Sequence, residues 1–426
     1  MNIRPTIAAG ALLGAGSLLA AGALVACSSD DGPARVEPAS GAPPDSGPSV
    51  DDGDPSDAGA DVTDASVPDR RPPFDAAPPE VACAVTPCMK KIVAGPANYC
   101  ATATDGVVRC WGSPRALGAF VDSADPNAGA VPVALEGIGE IVDVGISSYD
   151  TCVALSTGTV SCFGLFSAPT PTPIPGVNSA RALAIGDYRQ CAILATGELW
   201  CWGDGFYTGS DVGPTDLGGA HAVAAQMAFS VAFALDSDGT LYSWGSDPYA
   251  LGRPTASSPD LTPAPVQALP PTIQFASSDA PHACALTFDG RVFCWGMGQN
   301  GQLGLGSLRN EYFPVEVAFP GDAYPSKIAV SMTHSCARMT DGSLTCWDRS
   351  NQFGELGSSS TNPAFVPTKV TSLTKKVVDV AVGFNSTCAV LEDGSVQCWG
   401  DNSSGQLAQS APDSTPHHVP LTVAFP

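Results

Sequence analysis

Six pairs of cysteines stand ten residues apart: Cys100 and Cys110, Cys152 and Cys162, Cys191 and Cys201, Cys284 and Cys294, Cys336 and Cys346, Cys388 and Cys398. A spacing kept six times is an internal repeat, and a period of about forty to fifty residues decides the architecture before any local motif does. A seventh copy emerges when residues 231–245, VAFALDSDGTLYSWG, are laid over residues 282–296, HACALTFDGRVFCWG, which puts Phe233 and Ser243 at the two cysteine positions. The copies then begin near residues 100, 152, 191, 233, 284, 336 and 388.

Six positions after each first cysteine position comes a glycine preceded by Asp or Thr, as in Asp289-Gly290 and Thr157-Gly158. A left-handed glycine closes a three-residue hairpin loop. Here the loop is Phe288, Asp289 and Gly290, which pairs Thr287 with Arg291 and carries the register outward to Cys284 opposite Cys294. Opposed residues at a non-hydrogen-bonded antiparallel site have Cα atoms about 4.5 Å apart, within disulfide range. Zinc sites bring ligands together with gaps of about two to four residues and a second such pair nearby, an arrangement missing here. The copy at 233 lacks both cysteines together, as a bonded pair would. The pattern predicts six hairpin disulfides, with Cys83 and Cys88 left to form a seventh.

Each hairpin is preceded by another strand-like run, such as residues 140–145 or 377–383. The connections between copies usually hold a fourth run with proline and alternating valines, such as residues 314–317 and 366–370. Four antiparallel strands in each of seven units predict an all-β, seven-bladed propeller over residues 81–426, a closed architecture that leaves only short, protected edges. No proline-valine strand stands ahead of the first copy, whereas residues 418–425 supply one after the last, with Leu421, Val423 and Phe425 alternating as a half-buried strand does. The expectation is a ring closed by the C-terminal strand joining the first blade.

Ahead of the repeat, residues 6–26 follow Arg4 without a charge and predict a signal peptide over residues 1–26. The stretch is also just long enough for an uncleaved membrane anchor. Leu24-Val25-Ala26-Cys27 resembles a bacterial lipoprotein box, which implies cleavage before Cys27 and acylation there. Residues 27–80 are then an acidic tether. From Ser28 to Glu80 they are Pro, Asp, Ala, Gly and Ser with few large apolar groups, and eleven Asp and two Glu against three Arg give −10 of the chain's net −23. Such a composition cannot offset the entropy of ordering and predicts disorder. Ser28 after the cysteine, rather than Asp, resembles the outer-membrane sorting pattern. Fifteen cysteines in a chain with 14% charged residues point to an oxidising compartment. The expected location is the bacterial cell envelope, as an outer-membrane lipoprotein facing the periplasm or the cell surface.

The hairpin followed by Trp-Gly, best seen in residues 282–306, HACALTFDGRVFCWGMGQNGQLGLG, resembles the regulator-of-chromosome-condensation (RCC1-like) repeat. Trp295, Gly296, Asn300, Gly301, Gln302, Leu303 and Gly304 match its tryptophan-glycine and glycine-glutamine-leucine-glycine elements. Trp111, Trp202, Trp244, Trp295, Trp347 and Trp399 occupy one position, with Phe163 in the remaining copy. The tail survives in part as Glu355-Leu356-Gly357 and Gly405-Gln406-Leu407 and is largely lost around residues 203–213. The family includes a nuclear nucleotide-exchange factor for a small GTPase and a secreted propeller that inhibits β-lactamases, so the resemblance implies protein binding on loop faces. Small-GTPase exchange is not expected of an exported, disulfide-bonded chain.

The five histidines, His221, His282, His334, His417 and His418, lie in no nucleophile elbow or zinc-protease helix. His282 and His334 stand two residues before a hairpin cysteine, where repetition argues for packing and hydrogen bonding. His417 and His418 are adjacent on a strand and point to opposite faces. The hairpin aspartates are turn residues. No catalytic residue, metal or cofactor is expected, and a net −14 over residues 81–426 disfavours nucleic acid. The expected function is a binding or scaffold role toward an unknown protein partner, by a monomer held at the membrane through its N-terminal lipid. The alternatives are an enzyme with an unrecognised active site in the propeller funnel, or a purely structural envelope protein.

Overall fold

The computed structural model describes residues 77–203, 213–278 and 282–426. Cys27, the signal segment and the tether up to residue 76 lie outside the described residues. The repeat folds as seven four-stranded antiparallel sheets, each continuous in sequence from inner to outer strand: residues 89–134, 141–173, 180–215, 222–265, 272–317, 325–369 and 377–422, blades one to seven of a propeller.

Each hairpin follows the register read from the sequence. In blade five, His282–Thr287 pairs with Val292–Gly296 and Cys284 faces Cys294. Gly290, at φ 79°, closes the loop as its N–H donates to Thr287 O at 2.9 Å, and Thr287 N–H donates to Arg291 O at 2.9 Å. The six hairpin disulfides form with Cα separations of 4.0 to 4.1 Å, and Cys83–Cys88 forms with 5.5 Å.

Strand alternation sends successive side chains to opposite faces of a sheet, and here both faces are buried because blades stack on each other. The Cys284–Cys294 face of blade five packs with Ile328, Met339 and Trp347 of blade six. Its Ala283, Ala285 and Trp295 face packs with Phe233 and Leu235 of blade four. The same arrangement recurs around the ring: the disulfide of one blade lies in a common core with the tryptophan of the next, or with Phe163 in blade two. Blade four has no disulfide, and there Phe233 fills the space, meeting Trp295 edge-on at 6.1 Å. Ser243 instead donates its hydroxyl to Leu251 O at 2.7 Å.

The indole nitrogens tie the blades together. Trp295 Nε1 donates to Ala250 O, Trp347 to Gln302 O and Trp399 to Glu355 O, each at 2.8 Å and each across to the preceding blade. The glycine-glutamine-leucine-glycine loop therefore exists to deliver a carbonyl. Its last glycine must also lie flat against that indole: a Cβ on Gly304, at φ 72°, would stand 2.8 Å from Trp347 Nε1.

The expected strand exchange between the chain ends is not what closes the ring. Asp413–Thr422 pairs with Val396–Asn402, with Leu421 opposite Cys398, and is the outer strand of blade seven. The physical reason is that an outer strand follows its own hairpin. Blade one already has Val133–Ala134, with Val133 opposite Cys110, so the C-terminal strand is not spare. The seam is made instead from the bonds used at other junctions. Trp111 Nε1 donates to Gln406 O at 2.9 Å. Met89 N–H donates to Gly394 O at 2.9 Å, as Ala180, Ala222, Thr272 and Val377 do to the hairpin glycines of the blades before them. Asp379 Oδ2 of blade seven accepts Ile92 N–H at 2.9 Å. Residues beyond the last strand do reach blade one: Val423 enters the core of Met89, Tyr99 and Trp111, and the Phe425 ring meets Trp111 edge-on at 5.7 Å.

A seam built like any other junction should respond like one. Trp111→Phe leaves Gln406 O without its donor, which should cost about 1–3 kcal/mol, with a further loss for the smaller ring. Trp295→Phe, at an internal junction where the indole is likewise the donor to a loop carbonyl, Ala250 O, should cost about the same by denaturant unfolding. A near-zero cost at Trp111 alone would mean that the ring is open there.

Candidate binding face

Among the described residues, the turns between first and second strands gather around the propeller axis at one end. Contacts from blade to blade run across five of the seven junctions there. Asn98 Nδ2 donates to Ser147 O at 3.2 Å, and Ser148 donates through N–H and Oγ to the Asp187 carboxylate at 2.6 and 2.8 Å. Gln226 exchanges two bonds with the Ser277 backbone at 2.8 and 2.9 Å. The Thr333 hydroxyl donates to Phe384 O, and Phe384 N–H donates across the seam to Pro96 O at 2.7 Å. The turns enclose a small axial cavity of about 90 Å³, lined among others by Gly95, Ser147, Gly186, Gln226, Ser331 and Gly383.

Around this mouth the turns expose large apolar side chains where short turns usually carry small polar ones. Tyr188, Phe229, Met332 and Phe384 are 43, 41, 36 and 40% exposed. Leu165 and Phe166, from the loop after the third strand of blade two, are more than half exposed. The rings pair across elements: Tyr149 with Phe166 at 4.4 Å, and Tyr188 with Phe229 at 5.3 Å. The Phe166 loop is fixed by Asp150, whose Oδ1 accepts the N–H groups of Phe166 and Ser167 at 3.0 Å each. Burial raises the Asp150 carboxyl above its ordinary range, and those backbone bonds oppose the rise. The sequence reading did not single out this crown. The signal was there in the apolar residue two or three places beyond the inner strand, repeated in five of seven copies as Tyr149, Tyr188, Phe229, Met332 and Phe384.

The residues that were singled out serve the scaffold. His282 and His334 are fully buried, and the Nε2 of each lies within hydrogen-bond distance of a hydroxyl in the next blade, Ser335 and Thr387. Thr387 Oγ1 donates to Glu355 O at 2.8 Å, so its lone pair accepts from His334 Nε2–H at 2.7 Å. Desolvation pushes His334 down to about 3, and the ring stays neutral. His417 Nε2 binds Asp413 at 3.0 Å. The inner-strand carboxylates are likewise engaged: Asp143 meets Lys91 at 2.8 Å and accepts Leu183 N–H at 2.9 Å, and Asp379 meets Lys327. Among the described residues, no group of three or more His, Cys, Asp or Glu converges to hold a metal ion.

Comparison with known proteins bears on the fold and the family. Residues 289–338 and 350–390 match the family described as the regulator of chromosome condensation (RCC1) repeat, and residues 377–406 match a second family of the same description. The ultraviolet-B receptor UVR8 of Arabidopsis thaliana is 34% identical over 184 residues, 42% of this chain and 41% of the receptor. The E3 ubiquitin-protein ligase HERC2 of Homo sapiens is 38% identical over 145 residues, 32% of this chain and 3% of the ligase. The chain thus spans less than half the length of these relatives. Among solved structures, Prp20p from Saccharomyces cerevisiae superposes with a TM-score of 0.66 at 20% identity, covering 79% of this chain and 87% of that one. Human WBSCR16 gives 0.65 at 19% identity, covering 75% and 94%.

If the crown is surplus to folding, polar substitution should cost the fold nothing. Phe166→Ser and Phe384→Ser should each change unfolding free energy by no more than about 0.5 kcal/mol. Phe163→Ala, three residues away in sequence but fully buried against Phe120, should cost about 3–5 kcal/mol. Chemical denaturation of the three variants separates the two classes.

Proposed function

Since this chain is an RCC1-like repeat protein, we propose that it is a binding propeller of a bacterial cell envelope, anchored through lipid on Cys27, which presents its aromatic crown to a protein partner. The observation that carries the binding role is the crown itself. Exposed aromatic side chains are what protein interfaces concentrate at their hot spots. The rigid ring of turns beneath holds these side chains in place before binding, which lowers the entropy lost on association.

Relatives support a protein partner as a class. Prp20p is described with its binding to Gsp1p and histones, and also in a complex with Kap60. The envelope location is supported by the charge-free segment ending at Leu24-Val25-Ala26-Cys27, by the acidic, proline-rich residues after it, and by the use of every cysteine from Cys83 to Cys398 in disulfides. Disulfides persist in oxidising compartments. The proposed role needs no catalysis.

Two measurements test the reading. Metabolic labelling with a fatty-acid analogue should mark the wild-type protein and leave Cys27→Ala unmarked; equal labelling of both removes the anchor. A photoreactive amino acid in place of Phe384 should give a discrete cross-linked product on native cells, whereas one in place of Asp341, on a hairpin turn at the other end of the strands, should not. Products of equal yield from both positions, or none from position 384, argue against the crown as the binding face.

A further inference from the structure

Blade six departs from the repeat at two neighbouring points. Blades five and seven carry Gln302 and Gln406 where blade six carries Glu355. The residue after the tryptophan is Gly296 and Gly400 in those blades and Asp348 in blade six, and all three pair with the outer strand of their own blade.

The glutamine of blade seven uses both ends of its amide. Gln406 Oε1 accepts Ser404 N–H at 2.7 Å, and Nε2 donates to Asp401 Oδ2 at 2.9 Å. Glu355 reproduces the first bond, with Oε2 accepting Phe353 N–H at 3.0 Å. Its Oε1 is buried with no protein N–H directed at it, and the side chain lies within hydrogen-bond reach of the Asp348 carboxyl. Asp348 in turn accepts Arg349 N–H at 2.5 Å on Oδ1 and Asn351 N–H at 3.4 Å on Oδ2. Both residues are fully buried. Two carboxyl oxygens make a favourable contact only when one of them carries a proton.

We propose that Asp348 and Glu355 share one proton and form an acid-stabilised latch between blades six and seven, which loosens when that proton is lost. The loop they brace delivers the Glu355 carbonyl to blade seven, where it accepts Trp399 Nε1–H and Thr387 Oγ1–H at 2.8 Å each. Of the basic groups nearby, the Arg349 guanidinium turns outward to Gln299 O and His334, reached through Thr387, is held neutral; His418 of the blade-seven outer strand lies beside Gly354, its Nδ1 buried without a hydrogen-bond partner. Burial pushes Asp348 up to about 6 and Glu355 up to about 7, the neighbouring Asp348 charge adding to the rise at Glu355.

Both folded values lie above the roughly 3.9 and 4.3 of the unfolded chain. The folded loop therefore holds the extra proton at intermediate pH. Its contribution to stability is full below the unfolded values and is lost as pH rises through the folded ones.

The test is hydrogen exchange on the full chain, read at residues 348–357 after correction for the intrinsic pH dependence of exchange. Each retained proton contributes about tenfold per pH unit, so the opening constant of the wild-type loop should rise at least about tenfold per pH unit between pH 5 and 7, levelling above that. Glu355→Gln should flatten the profile and protect the loop at pH 7.5, because the amide can donate to Asp348 as Gln406 does to Asp401. Asp348→Asn should flatten it by an independent route, and the matching loop of blade seven, residues 401–409, should not respond in any of the three proteins. A wild-type loop indifferent to pH, or variants that keep the wild-type slope, would overturn the latch.

Discussion

The tryptophan that reaches into the preceding blade is the interaction on which the rest of this propeller depends. Sheets of one propeller do not hydrogen-bond to each other through a continuous ladder, so neighbouring blades need another directional contact besides hydrophobic burial, which is non-directional. The indole supplies it. Its ring fills the space beside the preceding blade's disulfide, and its Nε1–H donates to a loop carbonyl buried between the blades. A buried acceptor left unpaired costs free energy, so loop, indole and disulfide constrain one another. The repeat's signature residues are what remains visible in sequence of that three-part contact.

The scaffold was legible because it is repetitive and because its periodicities are strict. A ten-residue cysteine spacing, a glycine at a constant offset and a tryptophan after the second cysteine specify a hairpin, its register and its bonded pair, and the structure agrees at Cys284–Cys294 and its counterparts. Phe233 and Ser243 were placed correctly for the same reason. The closure was misjudged at the chain ends because repetition there gives no direct partner: a strand between two hairpins can belong to the one before or the one after, and only the pairing of Val133 with Cys110 decides it. The crown was overlooked because its members lie in turns, where neither strand alternation nor turn chemistry assigns a direction to Tyr188 or Phe384. The Asp348–Glu355 contact needs two side chains seven residues apart to fold back on each other, which spacing alone does not disclose.

Scaffold and face are separable in this molecule. The same turns that end the inner strands are tied to one another through backbone carbonyls, Asp187, Gln226 and Thr333, while their aromatic side chains stand clear of that network. Surface loops on a rigid frame are where binding residues concentrate, and here the bonds of the frame run through groups other than the crown side chains.

Each blade is one uninterrupted stretch of chain, and the seam carries the same bonds as the other junctions. The ring therefore has no privileged beginning. In genetic terms, a duplication or deletion of about one repeat adds or removes a whole blade without stranding half of one, and a gene rejoined at its ends and reopened between any two blades would still encode seven complete sheets. Propellers that split a blade across their termini must keep both ends of the gene in step; here each sheet is encoded in one place.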